Sequence, residues 1–106
     1  MSTAPSTTRI AVVTGASRGI GRAIAARLAS PAGGSRHVVL VSRSEGPLAE
    51  VAREITAAGG QASIRAVDVA DRAAWAGAID EIAAQHGRLD ILVNNAGITR
   101  DNLSLR

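Results

Sequence analysis

Residues 12–21, VVTGASRGIG, decide how the rest of this chain reads. An apolar, β-branched run ends at Thr14, and Gly15, Gly19 and Gly21 follow within seven residues. A strand that passes through such a turn into a helix offers free backbone N–H groups, a positive helix end and no obstructing side chains. Those are the requirements of a bulky anion such as a dinucleotide's pyrophosphate. Gly15 suits the tight turn, Gly19 lets a ligand approach the backbone, and Gly21 lets the helix lie close to the sheet. The spacing is TGxxxGxG rather than GxGxxG. A loop that merely turns is the alternative, and the flanking strand and helix are the context that favours binding.

Outward from this turn, strand-like and helix-like segments alternate. Residues 9–14 predict a strand buried on both faces, followed by a helix whose apolar face is Ile20, Ala23, Ile24 and Leu28 and which stops before Pro31. HVVLVS at 37–42 predicts a second buried strand, and Pro47 opens a helix with Leu48, Val51, Ala52 and Ile55 on one face, ended by Gly59 and Gly60. Residues 61–68 alternate as an exposed edge strand does. Asp71 is a suitable N-cap for a helix that buries Trp75, Ala78, Ile79 and Ile82 and ends at Gly87, and residues 89–94 supply a fourth strand. A β-α-β-α-β-α-β order makes parallel, right-handed units, hence an α/β fold with a Rossmann-type doubly wound parallel sheet. Its strand order is expected to be 3-2-1-4.

Composition bounds the function. The 106 residues are 46% hydrophobic, with Trp75 the only aromatic side chain, so the core is aliphatic. All twelve basic residues are arginines, scattered from Arg9 to Arg106. A net charge of +3 without a dense basic stripe argues against nucleic acid. No apolar run approaches the roughly 20 residues of a membrane helix, no cysteine is present, and the polar opening lacks an export signal, so a cytoplasmic protein without membrane contact is expected. Residues 1–8 read as a disordered tail and 9–106 as the domain. His37 and His86 read as structural, at a strand start and a helix end, and Trp75 as core; no metal site is expected.

The second strand discriminates between coenzymes. An acid about 20 residues past the glycines binds unphosphorylated ribose, whereas a 2′-phosphate calls for arginine. Here the strand ends in LVSRS, with Ser42 and Arg43 and no acid before Glu45. Arg18, inside the turn, adds a second guanidinium able to make charge-assisted hydrogen bonds. Both arginines could instead be solvated surface charges. The expected ligand is NADP(H).

TGASRGIG together with NNAG at 94–97 resembles the short-chain dehydrogenase/reductase family. DILVNNAGITRDNL, residues 90–103, is similar to the bacterial 3-oxoacyl-[acyl-carrier-protein] reductases, which reduce a β-keto thioester with NADPH in fatty-acid synthesis. The resemblance implies that Gly15, Ala16, Ser17, Arg18, Gly19, Ile20 and Gly21 hold the pyrophosphate and adenosine end, with Ser42 and Arg43 at the 2′-phosphate. Asp68 and Val69 would lie beside the adenine, and Asn94, Asn95, Ala96 and Gly97 toward the ribose and nicotinamide. Asp68 could also cap the next loop, and the asparagines could tie strands together.

The resemblance further implies catalysis by a tyrosine and lysine in a YxxxK pair, a serine and a later asparagine. The chain contains no tyrosine and no lysine, so that pair is absent from it and no catalytic residue is assigned. The expectation is a partial NADP-binding Rossmann domain, truncated before the catalytic segment and inactive alone. It would meet an acyl-carrier-protein thioester only if completed by the missing half. Full-length members of the family are homo-oligomeric. A non-catalytic dinucleotide-binding module, or one half of a split reductase, is the alternative.

Overall fold

The computed structural model describes residues 8–95. Four parallel strands, β1 (Ile10–Thr14), β2 (His37–Ser42), β3 (Gln61–Ala66) and β4 (Ile91–Val93), form one sheet in the order β3-β2-β1-β4. The connections are α1 (Gly19–Ala29), α2 (Glu45–Ala57) and α3 (Arg72–His86), with a single 3-10 turn at Pro31–Gly33. The chain has the expected α/β, doubly wound architecture.

Alternation along the two central strands divides the core. Ala11, Val13, Val38 and Leu40 pack with Ala25, Leu48 and Val51 from α1 and α2 on one face. Ile10, Val12, Val39 and Val41 pack with Ile82 of α3 on the other. Because β1 and β2 are covered on both sides they are apolar nearly throughout, as parallel central strands are. At the edge, β3 keeps polar residues between the apolar ones that pack inward. α3 begins where Asp71 accepts the Ala74 N–H at 3.1 Å and closes at Gly87, and Pro47 lies in the first turn of α2.

Three local expectations need correction. The inward stripe of α1 is Gly21, Ala25 and Ala29, with Ile24 and Leu28 beside it, while Ala23 is exposed and Ile20 is 68% exposed. Small residues win over the larger periodic set because the helix starts pressed against the glycine turn, where only a residue without Cβ fits at 21. β4 is shorter than residues 89–94. Its predecessor Asp90 uses its side chain to accept the Ile10 N–H at 2.8 Å, in place of a backbone carbonyl, and the strand starts only at Ile91. β3 ends at Ala66 because Asp68 turns the chain, its Oδ1 accepting the Ala70 N–H at 2.9 Å.

Candidate functional site

The site forms where the carboxyl ends of the parallel strands meet the start of α1, the usual position for ligands in an open α/β sheet. Gly15 and Gly19 both adopt φ of 62°, a left-handed conformation that side chains other than glycine rarely accept. A Cβ built on Gly19 meets nothing within 4 Å, so the space above it is open to a ligand. Gly21 is the opposite case. Its Cβ would stand 2.1 Å from the Gly15 carbonyl oxygen and 2.6 Å from Asn95 Nδ2.

Three ties hold the turn. The Ala16 N–H donates to Val41 O at 3.1 Å, the Asn95 side-chain amide donates to Gly15 O at 3.3 Å, and the Asn95 N–H donates to Thr14 Oγ1 at 2.7 Å. Thr14 is fully buried, and its hydroxyl faces Val93 O at 3.3 Å and Asn94 Oδ1 at 3.4 Å. In the sequence Thr14 is merely the end of a strand, and its structural role is not foreseen there. Its signal was a hydroxyl at the last position of an otherwise apolar run.

A groove of about 1180 Å³ runs along the strand ends. Gly15, Ser17, Arg18, Gly19 and Ile20 border it from the turn, Ser42 and Arg43 from β2, Asp68 and Val69 from the loop after β3, and Asn94 and Asn95 from beyond β4. Segments far apart in the chain thus supply one surface. Of the other expected residues, Ala16 is fully buried beneath the turn and Gly21 lies under it. Ala96 and Gly97 lie outside the described residues, as does the whole ITRDNL stretch at 98–103. Unforeseen members are Arg72, the first residue of α3, and Trp75, which is half-buried against the core cluster of Ile10, Val12, Val39, Val41 and Ile82 while also bordering the groove.

The electrostatics favour an anion. Arg18, Arg43 and Arg72 border the groove against the single carboxylate of Asp68. None of these arginines has a salt-bridge partner among the described residues, whereas Arg22, Arg65 and Arg88 pair with Glu54, Glu81 and Asp90. The Ser42 hydroxyl accepts the Ser44 N–H at 3.3 Å and donates to Ser44 O at 3.2 Å, closing a short turn that leaves Arg43 exposed. A second cleft of about 320 Å³ between α1 and α2 is mainly apolar, and its charged groups, Arg22 and Glu54, neutralise each other. It does not suit a polyanion.

The family model described as short chain dehydrogenase matches residues 9–105. The 3-oxoacyl-[acyl-carrier-protein] reductase FabG of Staphylococcus aureus (strain Mu50) is 46% identical over 99 residues, covering 93% of this chain and 39% of that protein. A metagenomic short-chain oxidoreductase solved in complex with NADP superposes with a TM-score of 0.79 at 50% identity, covering 85% of this chain and 39% of that one. The betaketoacyl-[ACP] reductase (FabG) of Bacteroides thetaiotaomicron superposes with a TM-score of 0.79 at 34% identity, covering 90% of this chain and 43% of that one. The chain therefore spans about 39% of the length of the curated relative it matches.

Proposed function

Since this chain belongs to the short-chain dehydrogenase family, we propose that residues 9–106 are the NADP(H)-binding, N-terminal part of a reductase resembling the 3-oxoacyl-[acyl-carrier-protein] reductases. One observation carries the coenzyme assignment: Arg18 and Arg43, both without a salt-bridge partner among the described residues, border the same groove as the glycine turn. A 2′-phosphate between them would receive planar, charge-assisted hydrogen bonds. The open, left-handed Gly19 and the start of α1 suit the pyrophosphate.

The remaining roles follow from the groove. Asp68 keeps a carboxylate oxygen for the adenine amine while its Oδ1 holds the loop. Asn95 acts as a positioning residue, since its amide and N–H hold Gly15 and Thr14, and Asn94 faces the ribose and nicotinamide side. When bound, the coenzyme supplies the hydride. Protonation of a substrate carbonyl oxygen needs an acid near neutral pH, and the chain contains no tyrosine or lysine to form a YxxxK pair. Reduction of a β-keto acyl-carrier-protein thioester therefore calls for a segment bearing that pair.

Isothermal calorimetry with NADPH and NADH tests the assignment. NADPH is expected to bind more tightly. Equal affinity for the two, or no binding of either, overturns it.

A further inference from the structure

We propose that His37 and His86 form a site for a transition-metal ion of the zinc class at the amino end of the sheet, where the ion clasps α3 to β2. The site is independent of the coenzyme reading, because the groove runs along the opposite, carboxyl ends of the strands. His37 is the first residue of β2 and His86 the last of α3. Folding brings their rings together, with centroids 4.8 Å apart and planes tilted by 52°. With metal–nitrogen bonds of about 2.0–2.1 Å and each ring centre about 1 Å beyond its donor atom, two imidazoles on one tetrahedral ion have centres about 5 Å apart. The two histidines already stand at that separation.

The surroundings fit a ligand pair. His37 Nε2 shares a hydrogen bond at 3.0 Å with Ser63 Oγ on the neighbouring strand β3. With Nε2–H donating to that hydroxyl, a lone pair is left on Nδ1 for the ion, which is how an outer hydrogen bond orients a metal-bound histidine. Gln61, opposite His37 in the β2–β3 register, also hydrogen-bonds the ring, and its exposed side chain can turn to water when the ion enters. Arg88, just beyond His86, is neutralised by Asp90. Among the described residues no carboxylate or thiol makes the pair a group of three, so water completes the coordination. Imidazole nitrogens suit Zn²⁺, Ni²⁺ or Cu²⁺, whereas Mg²⁺ takes oxygen ligands. The consequence falls on α3. Of its 15 residues only Ala78 and Ile82 are buried, so few side chains anchor it fully to the sheet. A bond from its last turn to the start of β2 joins segments far apart in the chain, and an ion held only by the folded state stabilises that state.

Calorimetry with ZnCl2 on the EDTA-treated, desalted chain tests the site, with MgCl2 as the control. One zinc per chain is expected, magnesium is expected not to bind, and zinc is expected to raise the urea midpoint. His37→Gln and His86→Gln should each weaken zinc by more than about tenfold and abolish the midpoint shift, and Ser63→Ala, which removes only the orienting hydroxyl, should weaken it by about tenfold. Metal-free urea midpoints show whether each variant still folds, and Ser63→Ala keeps the test decisive if a histidine variant does not. No zinc binding by the parental chain, equal binding of magnesium, parental zinc affinity in the folded variants, or binding without a rise in the urea midpoint would each overturn the clasp.

Discussion

The side-chain amide of Asn95 donates to the carbonyl oxygen of Gly15 at 3.3 Å, across 80 residues of sequence. This contact fastens the end of β4 to the turn that begins the groove. Gly21 lies directly beneath the junction, where a Cβ would stand 2.1 Å from the same carbonyl. The turn, the helix and the fourth strand therefore meet at a point with no room for a methyl group.

Gly21→Ala forces a backbone shift, because the obstructing atom is a carbonyl oxygen rather than the end of a flexible side chain. A loss of roughly 1–3 kcal/mol is expected, typical of overpacking, together with weaker NADPH binding. Urea unfolding and calorimetry measure the two effects. An unchanged urea midpoint would show that the helix is not pressed against the turn.

Thr14→Val keeps the shape of the side chain and removes the acceptor of the Asn95 N–H, leaving a part-buried donor without its 2.7 Å partner. The expected cost is about 1–3 kcal/mol, and Thr14→Ser should recover most of it. If valine proves as stable as threonine in urea, Thr14 does not tie the two strand ends together.

Arg43→Asp replaces an exposed guanidinium on the groove with a carboxylate that repels a 2′-phosphate and accepts from ribose hydroxyls. NADPH affinity should fall by roughly tenfold or more, the value of a charged hydrogen bond, with NADH equal or improved. Retention of the parental NADPH preference in calorimetry would remove Arg43 from the phosphate site.

His37 and His86 meet at the other end of the sheet, with ring centroids 4.8 Å apart and planes tilted by 52°. His37 Nε2 shares a hydrogen bond with Ser63 Oγ at 3.0 Å. Burial, then the neighbouring His86, holds the His37 pKa below its ordinary 6.5, against an opposing hydrogen bond from Gln61. The folded state thus resists protonation more than the unfolded one. Stability is full above the unfolded value of 6.5 and declines as pH falls through it toward the lower folded value. Urea midpoints compared at about pH 7.5 and about pH 5.5 should show that decline, and His37→Gln should reduce it. An equal decline in the variant assigns the pH dependence elsewhere.

The legible parts of this molecule were those with a local physical cause. α3 is an example: Asp71 can accept the Ala74 N–H and Gly87 can end the helix whatever surrounds them, so both ends were readable in the chain. β2 was equally plain, since a run covered on both faces must be apolar throughout. The candidate residues from Gly15 to Gly19 and at Ser42 and Arg43 follow from their positions at strand ends, Asp68 and Val69 came only from the family resemblance, and all but the buried Ala16 border the groove. Arg72 carried no such signal, because a lone arginine on a helix is ordinarily a solvated charge.

By itself, the order of residues determined the alternation of strands and helices, the parallel sheet that follows from right-handed crossovers, and the glycine turn at its centre. Those depend on periodicity, capping and backbone conformation over a few residues. Only the tertiary structure decided which side of α1 faces inward, that Trp75 belongs to both core and groove, and that Thr14 reaches Asn95 and His37 reaches His86. Each of these is a contact between segments far apart in the chain, set by how closely two backbones can approach, and a local pattern carries no information about the partner it will meet.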